Sequence, residues 1–125
     1  MAEATTTNDY RKRLAKHMYN NTTLPPATQM AFGDGGHTGL TPKPADANRT
    51  QLNHELLRKS LATLIQEDGY SLTGTGRIEA GDLVGVSISE AALLDSAGNM
   101  LGFRNFAPKV KESDETYDIK IKLKF

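Results

Sequence analysis

Tyr117-Asp118-Ile119-Lys120-Ile121-Lys122-Leu123-Lys124-Phe125 alternates apolar and polar residues without a break. Successive side chains of a β-strand point to opposite faces. A period of two therefore puts Tyr117, Ile119, Ile121, Leu123 and Phe125 on one face and Asp118 with three lysines on the other. The spacing predicts a closing strand with one buried face and one lysine-rich face. Lysines of this kind would also discourage unwanted pairing if the strand lies at a sheet edge.

Upstream of that strand the same period recurs between turn signals. Ala91 to Leu94, the turn Asp95-Ser96-Ala97-Gly98-Asn99, and Met100 to Phe106 form a hairpin signature, because Gly98 and Asn99 tolerate positive φ. Val84, Val86 and Ile88 alternate with Gly85 and Ser87, and Gly81-Asp82 marks a turn before them. Ser71 to Ala80 reads as a strand weakened by Gly74 and Gly76. Asp68-Gly69 is a further turn signal, and Leu61, Thr63 and Ile65 alternate ahead of it.

The N-terminal half has a different character. Thr5, Thr6 and Thr7 read as a loose polar start. Asn8 or Asp9 can cap a helix that runs to Met18 or Tyr19, with Tyr10, Leu14 and Met18 forming an apolar stripe at four-residue spacing. Arg11, Lys12, Arg13 and Lys16 fill much of the remaining surface and read as a solvated face, with an acidic docking surface on a partner as the functional alternative. Asn20-Asn21 ends the helix and Pro25-Pro26 forces extended chain. Thr28 to Phe32 reads as a strand leading into Gly33-Asp34-Gly35-Gly36, and His37 to Asn48 as a surface loop. Thr50 is a plausible cap for a second short helix that turns Leu52, Leu56 and Leu57 inward. The pattern predicts an α+β domain spanning residues 1–125, with an N-terminal helix and a second short helix packed on one mainly antiparallel β-sheet.

Composition narrows the function. The chain has 125 residues, with Lys+Arg 15 and Asp+Glu 15, and no cysteine. A formal net charge of zero argues against nucleic acid, whose binders carry a basic excess, and against a polybasic membrane anchor. The lack of cysteine removes disulfides, thiolate zinc sites and thiol nucleophiles. Met1-Ala2-Glu3-Ala4-Thr5 has no apolar stretch of the kind a signal peptide needs, and no apolar run is long enough to span a bilayer. Synthesis and use in the cytoplasm of the producing cell are expected. Without a secretion signal, the glycosylation-type triplets Asn21-Thr22-Thr23 and Asn48-Arg49-Thr50 read as chance matches.

No catalytic motif stands out. Gly33-Asp34-Gly35-Gly36 lacks the Gly-Lys-Ser/Thr ending and the helix that a phosphate loop requires. His17, His37 and His54 show no metal-ligand spacing, although Asp34 and His37 could share a metal with a remote carboxylate, and an enzyme with scattered catalytic residues would draw on Asp34, His37 and Glu90. There is no Gly-x-Ser-x-Gly elbow for a serine nucleophile. Glu90 falls within a strand pattern, between Ile88 and Ala91-Ala92-Leu93-Leu94. A carboxylate there must be paired, and backbone amides or Arg104 across the hairpin are the expected partners.

Met30-Ala31-Phe32-Gly33-Asp34-Gly35-Gly36, the Gly/Pro loop after it, Leu52-Asn53-His54-Glu55-Leu56-Leu57-Arg58, and Ser89 to Leu101 together resemble a known pattern. They are similar to the N-terminal domain of contractile-phage tail fibre (tail-collar fibre) proteins. The resemblance spans most of the chain. Gly33, Asp34, Gly35 and Gly36 match the family's turn, Glu55 and Arg58 its helix, and Glu90, Leu93, Asp95, Gly98 and Leu101 its hairpin. Pro108 and Lys109 match the stretch that follows. Ala92 stands where the family has Gly, and Leu94 where it has an aromatic.

The resemblance implies a structural protein of the virion tail, assembled in the host cytoplasm. It would act as a baseplate or tail-fibre attachment domain, bind other tail or baseplate proteins, and need no cofactor, metal or catalytic residue. A homo-oligomer is expected, with a trimer by analogy to fibres. Fibre proteins continue into a shaft and a receptor-binding tip that this sequence does not contain. A reduced fibre or a separate baseplate component built on the same domain is therefore expected. The competing reading is a small carbohydrate- or receptor-binding module using Tyr19 or Tyr70 as a platform, which the 6% aromatic content and lack of Trp weaken.

Overall fold

A computed structural model describes residues 4–125, and these form a mainly antiparallel β structure with a single helix. Met1-Ala2-Glu3, where the expectation of no signal peptide begins, lies outside the described residues. The elements run β1 (Thr5–Thr6), α1 (Asn8–Asn20), β2 (Ala27–Gly33), β3 (His37–Thr38), β4 (Thr41–Pro42), β5 (Glu55–Ser60), β6 (Thr63–Ile65), β7 (Ser71–Ile78), β8 (Ser87–Asp95), β9 (Met100–Val110) and β10 (Tyr117–Lys124).

The strands build two main sheets rather than the single sheet expected. One has the order β1-β9-β8-β2-β5 and the other β10-β7-β6, while β3 and β4 form a separate small hairpin. The two sheets stack on an apolar layer. Met30, Phe32, Ala91 and Leu93 from the larger sheet meet Ile78, Ile119, Ile121 and Leu123 from the smaller. Strands that alternate apolar and polar residues can be satisfied by a second sheet as well as by helices, and local periodicity does not distinguish the two. The glycines that weaken β7 as a strand have a use here. A Cβ at Gly76 would run into Met30 and Phe32 from the opposite sheet.

The closing strand behaves as its alternation predicts. Ile119, Ile121 and Leu123 are buried, Lys120, Lys122 and Lys124 are exposed, and β10 is an edge strand paired only with β7. The 95–99 hairpin also forms as expected, joining β8 to β9, with Gly98 at φ 86. The alternation over Val84 to Ile88 yields less strand than expected. Leu83 (φ 52) and Gly85 (φ 80) hold a turn, and β8 starts at Ser87. The buried Lys111 secures that turn, its Nζ donating to the Ala80 and Glu112 carbonyls.

Three N-terminal expectations change. Thr5 and Thr6 are not loose but pair with Phe103 and Gly102 of β9. Thr7, not Asn8 or Asp9, caps α1, its Oγ1 accepting from the Tyr10 amide at 3.2 Å. The Tyr10-Leu14-Met18 stripe is not a buried face, since no residue of α1 is buried and Met18 is 78% exposed. The helix is anchored instead by polar groups. Arg13 bonds Asp95 and the Met100 carbonyl, and Tyr10 packs on the core edge beside Phe125.

The second short helix does not form. Residues 55–60 are β5, paired with β2 at the edge of the larger sheet. Leu56 and Leu57 carry spacing that suits either a helix or a strand, and the free edge of β2 decides between them. The chain then crosses from one sheet to the other. Leu61 donates its amide to Thr28 on the β2 side, and Ala62 donates to Thr75 on the β7 side.

Candidate functional site

The family-like segments lie far apart in sequence, yet they meet on the outer face of the larger sheet. Strand alternation places them there. Met30, Phe32, Ala91 and Leu93 point between the sheets, so Ala31, Gly33, Glu90, Ala92 and Leu94 point outward. The segment from residues 43 to 54 crosses this outer face, and Leu52 closes a second small core with Ala31, Ala92, Leu94, Met100 and Phe103.

Glu90 is the centre of this arrangement and is fully buried. Its Oε2 accepts from the amides of Gly35 (3.0 Å) and His54 (2.8 Å). Its Oε1 accepts from the amide of Asn53 (3.0 Å) and from Nη2 of Arg49 (2.8 Å). Four donors around one carboxylate compensate the desolvation that burial imposes. Backbone amides are the partners expected from sequence, but the cation is Arg49 and not Arg104. Arg104 lies opposite Ala91 in the register, on the inter-sheet side, and donates to the Lys120 carbonyl. Arg49 is held in turn by Asn105 Oδ1 at 3.0 Å and lies over the Phe103 ring with its guanidinium carbon 4.5 Å from the centroid.

The turn residues fit tightly above this carboxylate. A Cβ on Gly33 would collide with the His54 carbonyl oxygen, and one on Gly36 with the Ser89 carbonyl oxygen. On Gly35 it would lie 2.7 Å from Asn53 Cβ and 2.9 Å from Glu90 Oε2. None of the three has positive φ. The glycines are thus required by close approach of backbone to backbone, and not by the turn conformation that the sequence suggests. Asp34 reaches out of the turn to His54 Nδ1 at 2.5 Å. His37 Nδ1 contacts Ser89 Oγ at 2.6 Å, and that hydroxyl also accepts the Gly36 amide at 2.9 Å.

Glu55 and Arg58 pair on β5 rather than on a helix. Two bonds join them, Nε to Oε2 at 3.1 Å and Nη2 to Oε1 at 2.9 Å. Residues three apart on a regular strand face opposite sides, but the register slips between Phe32 and Gly33, so that Leu57 lies opposite Phe32 and Glu55 opposite Gly33. The extra residue, Leu56, returns Glu55 to the side of Arg58. The Glu55 carboxylate holds the Arg58 guanidinium above its ordinary value, chiefly by hydrogen bonding.

Asp95 is fully buried at the hairpin. Its Oδ1 accepts the amides of Ala97 (3.0 Å) and Asn99 (2.9 Å), and its Oδ2 accepts from Arg13 at 2.9 Å. Gly98 approaches the β5 pair, and a Cβ there would lie 3.2 Å from Arg58 Nη1. Between the hairpin and the 50–55 segment lies a pocket of about 390 Å³, with Leu52, Ala92, Leu94 and Met100 in its floor and Glu55 and Arg58 in its wall. Leu93 and Leu101 belong to the inter-sheet core. Pro108 and Lys109 lie on β9, and Lys109 pairs with Glu115.

Asp34, His37 and Glu90, the candidates for scattered catalytic residues, each take a different partner. Asp34 bonds His54, His37 bonds Ser89, and Glu90 bonds amides and Arg49. Among the described residues no three His, Cys, Asp or Glu side chains form a group that could hold a metal ion. Tyr19 and Tyr70 are both exposed, one near the end of α1 and the other in the turn before β7. Sequence reasoning missed Arg49, Asn105, Ser89 and Arg13. Each makes its long-range contacts from an otherwise ordinary polar position, which leaves no periodic signal. No protein-family model matches the chain, and no curated protein matches it in sequence.

Proposed function

We propose that this protein is a structural component of a contractile phage tail or tail-like particle, a baseplate or fibre-attachment domain that works by binding other tail proteins. The observation that carries this reading is the convergence of the family-like segments on one outer sheet face. The Gly33–Gly36 turn, the 52–58 segment and the 89–101 hairpin all meet there, through Glu90 or through the pocket beside it. The polar groups of that face are engaged with one another, which suits a rigid docking surface. Against the resemblance stands β5, a strand where the fibre family has a helix.

The test is mass spectrometry of contractile particles purified from lysate of the source, together with immunogold labelling by an antibody to this chain. Label in a few discrete copies at the distal end of the tail supports attachment. Absence of the chain from well-purified particles overturns the reading.

A further inference from the structure

The chain is formally neutral, yet its charge is unevenly placed. A shallow groove of about 730 Å³ lies along β10, and its wall carries Arg11, Arg104, Lys120, Lys122 and Lys124 against the single carboxylate of Glu67. These five cations come from α1, β9 and β10. Lysines that merely protect a sheet edge would account for β10 but not for the two arginines brought in from other elements. Of these five cations only Lys122 makes an ion pair with a described residue, a loose one to Glu67 at 3.8 Å. Thr73 Oγ1 and Arg104 Nε, both from residues lining the groove, are buried without a hydrogen-bond partner. Like charges gathered in one concavity repel one another and draw in an anionic partner.

We infer that this groove is the docking site for an acidic, extended segment of a partner protein. The lysines recur every second residue along β10, a separation of about 7 Å. Same-face carboxylates of an extended peptide recur at the same interval. None of the groove's lining residues is aromatic, so it offers no ring on which a base or a sugar could stack. This inference deepens the attachment reading, on which it rests for the partner being a protein, by naming the surface used and the partner's chemistry.

The experiment is fluorescence anisotropy of the whole protein with a labelled short peptide of alternating glutamate and threonine. The same peptide with glutamine for glutamate, an oligothymidylate and a heparin oligosaccharide serve as comparisons. Saturable binding of the acidic peptide is expected, weakening as salt rises. Lys120→Gln, Lys122→Gln and Lys124→Gln together should weaken it about tenfold or more. Arg11→Gln alone, which leaves the sheet untouched, should weaken it about two- to threefold. Circular dichroism melting of each variant establishes that it is folded. Failure of the acidic peptide to bind, equal binding to the folded triple variant, or tighter binding of the oligothymidylate or heparin overturns the inference. Particle labelling is independent of this titration, so the groove can fail while the attachment reading stands.

Discussion

Glu90 on β8 accepts the backbone amide of His54 at 2.8 Å across 36 residues of sequence. The bond ties the segment that crosses the outer sheet face to the middle of that sheet. With the Gly35 and Asn53 amides and Arg49 it makes one buried carboxylate the organiser of three chain segments.

Glu90→Gln should therefore be costly. The amide oxygen can serve only one side of the site, while the NH2 group faces donors and leaves Arg49 without its counter-charge. Breaking one partner of a buried pair costs about 3–5 kcal/mol. Urea unfolding should show the midpoint falling with the slope unchanged.

Asp95 and Arg13 should be coupled. Asp95 is fully buried while Arg13 is partly exposed, and their bond is the helix's main tether to the hairpin. Asp95→Asn and Arg13→Ala should each destabilise the fold, with a coupling energy of about 1–2 kcal/mol in a double-mutant cycle. The Asp95 change should be the larger, because Asp95 also accepts two amides of the turn.

Gly36→Ala should destabilise by about 2 kcal/mol or more, because the new methyl meets the backbone of Ser89, which cannot swing away as a side chain can. Gly69→Ala is the control. Nothing lies within 4 Å of a Cβ there and its φ is not positive, so the change should be neutral within about 0.5 kcal/mol. Thermal melting of both variants checks the contrast.

Acid should weaken the Asp118–Arg77 pair in a defined direction. Arg77 donates to both oxygens of Asp118, at 2.8 and 3.1 Å, and holds its carboxyl below the ordinary 3.8. A carboxyl lowered in the folded state contributes stability that is complete above its unfolded value and is lost as pH falls through the folded value. Asp118→Asn should thus cost stability at pH 7 and nothing at a pH below the folded value. The pair is largely solvated, so the cost should stay under about 1 kcal/mol and shrink in high salt. Chemical denaturation at the two pH values, with and without salt, measures it.

Strand positions with strict alternation were the most legible in the sequence. Tyr117 to Phe125 and the 95–99 hairpin carry local signals strong enough to define strand, buried face and turn. Residues 52–58 were not legible, because Leu52, Leu56 and Leu57 satisfy a helical spacing while the open edge of β2, a long-range feature, selects a strand. The number of sheets was hidden for a related reason, since an apolar strand face does not reveal whether a helix or another sheet covers it. At the site, the need to pair Glu90 was legible from its place among apolar residues. Its partner Arg49 was not, because nothing about an arginine after Asn48 signals a contact with residue 90.

The most direct test of the Glu90 arrangement is amide hydrogen exchange of Gly35, Asn53 and His54 in the wild type and in Glu90→Gln, under conditions where both are folded. The account predicts slow exchange at all three amides in the wild type. In the variant, exchange should quicken by about an order of magnitude or more at those on the side that loses its acceptor, with β8 and β9 amides little changed. Unchanged protection at all three amides would contradict it.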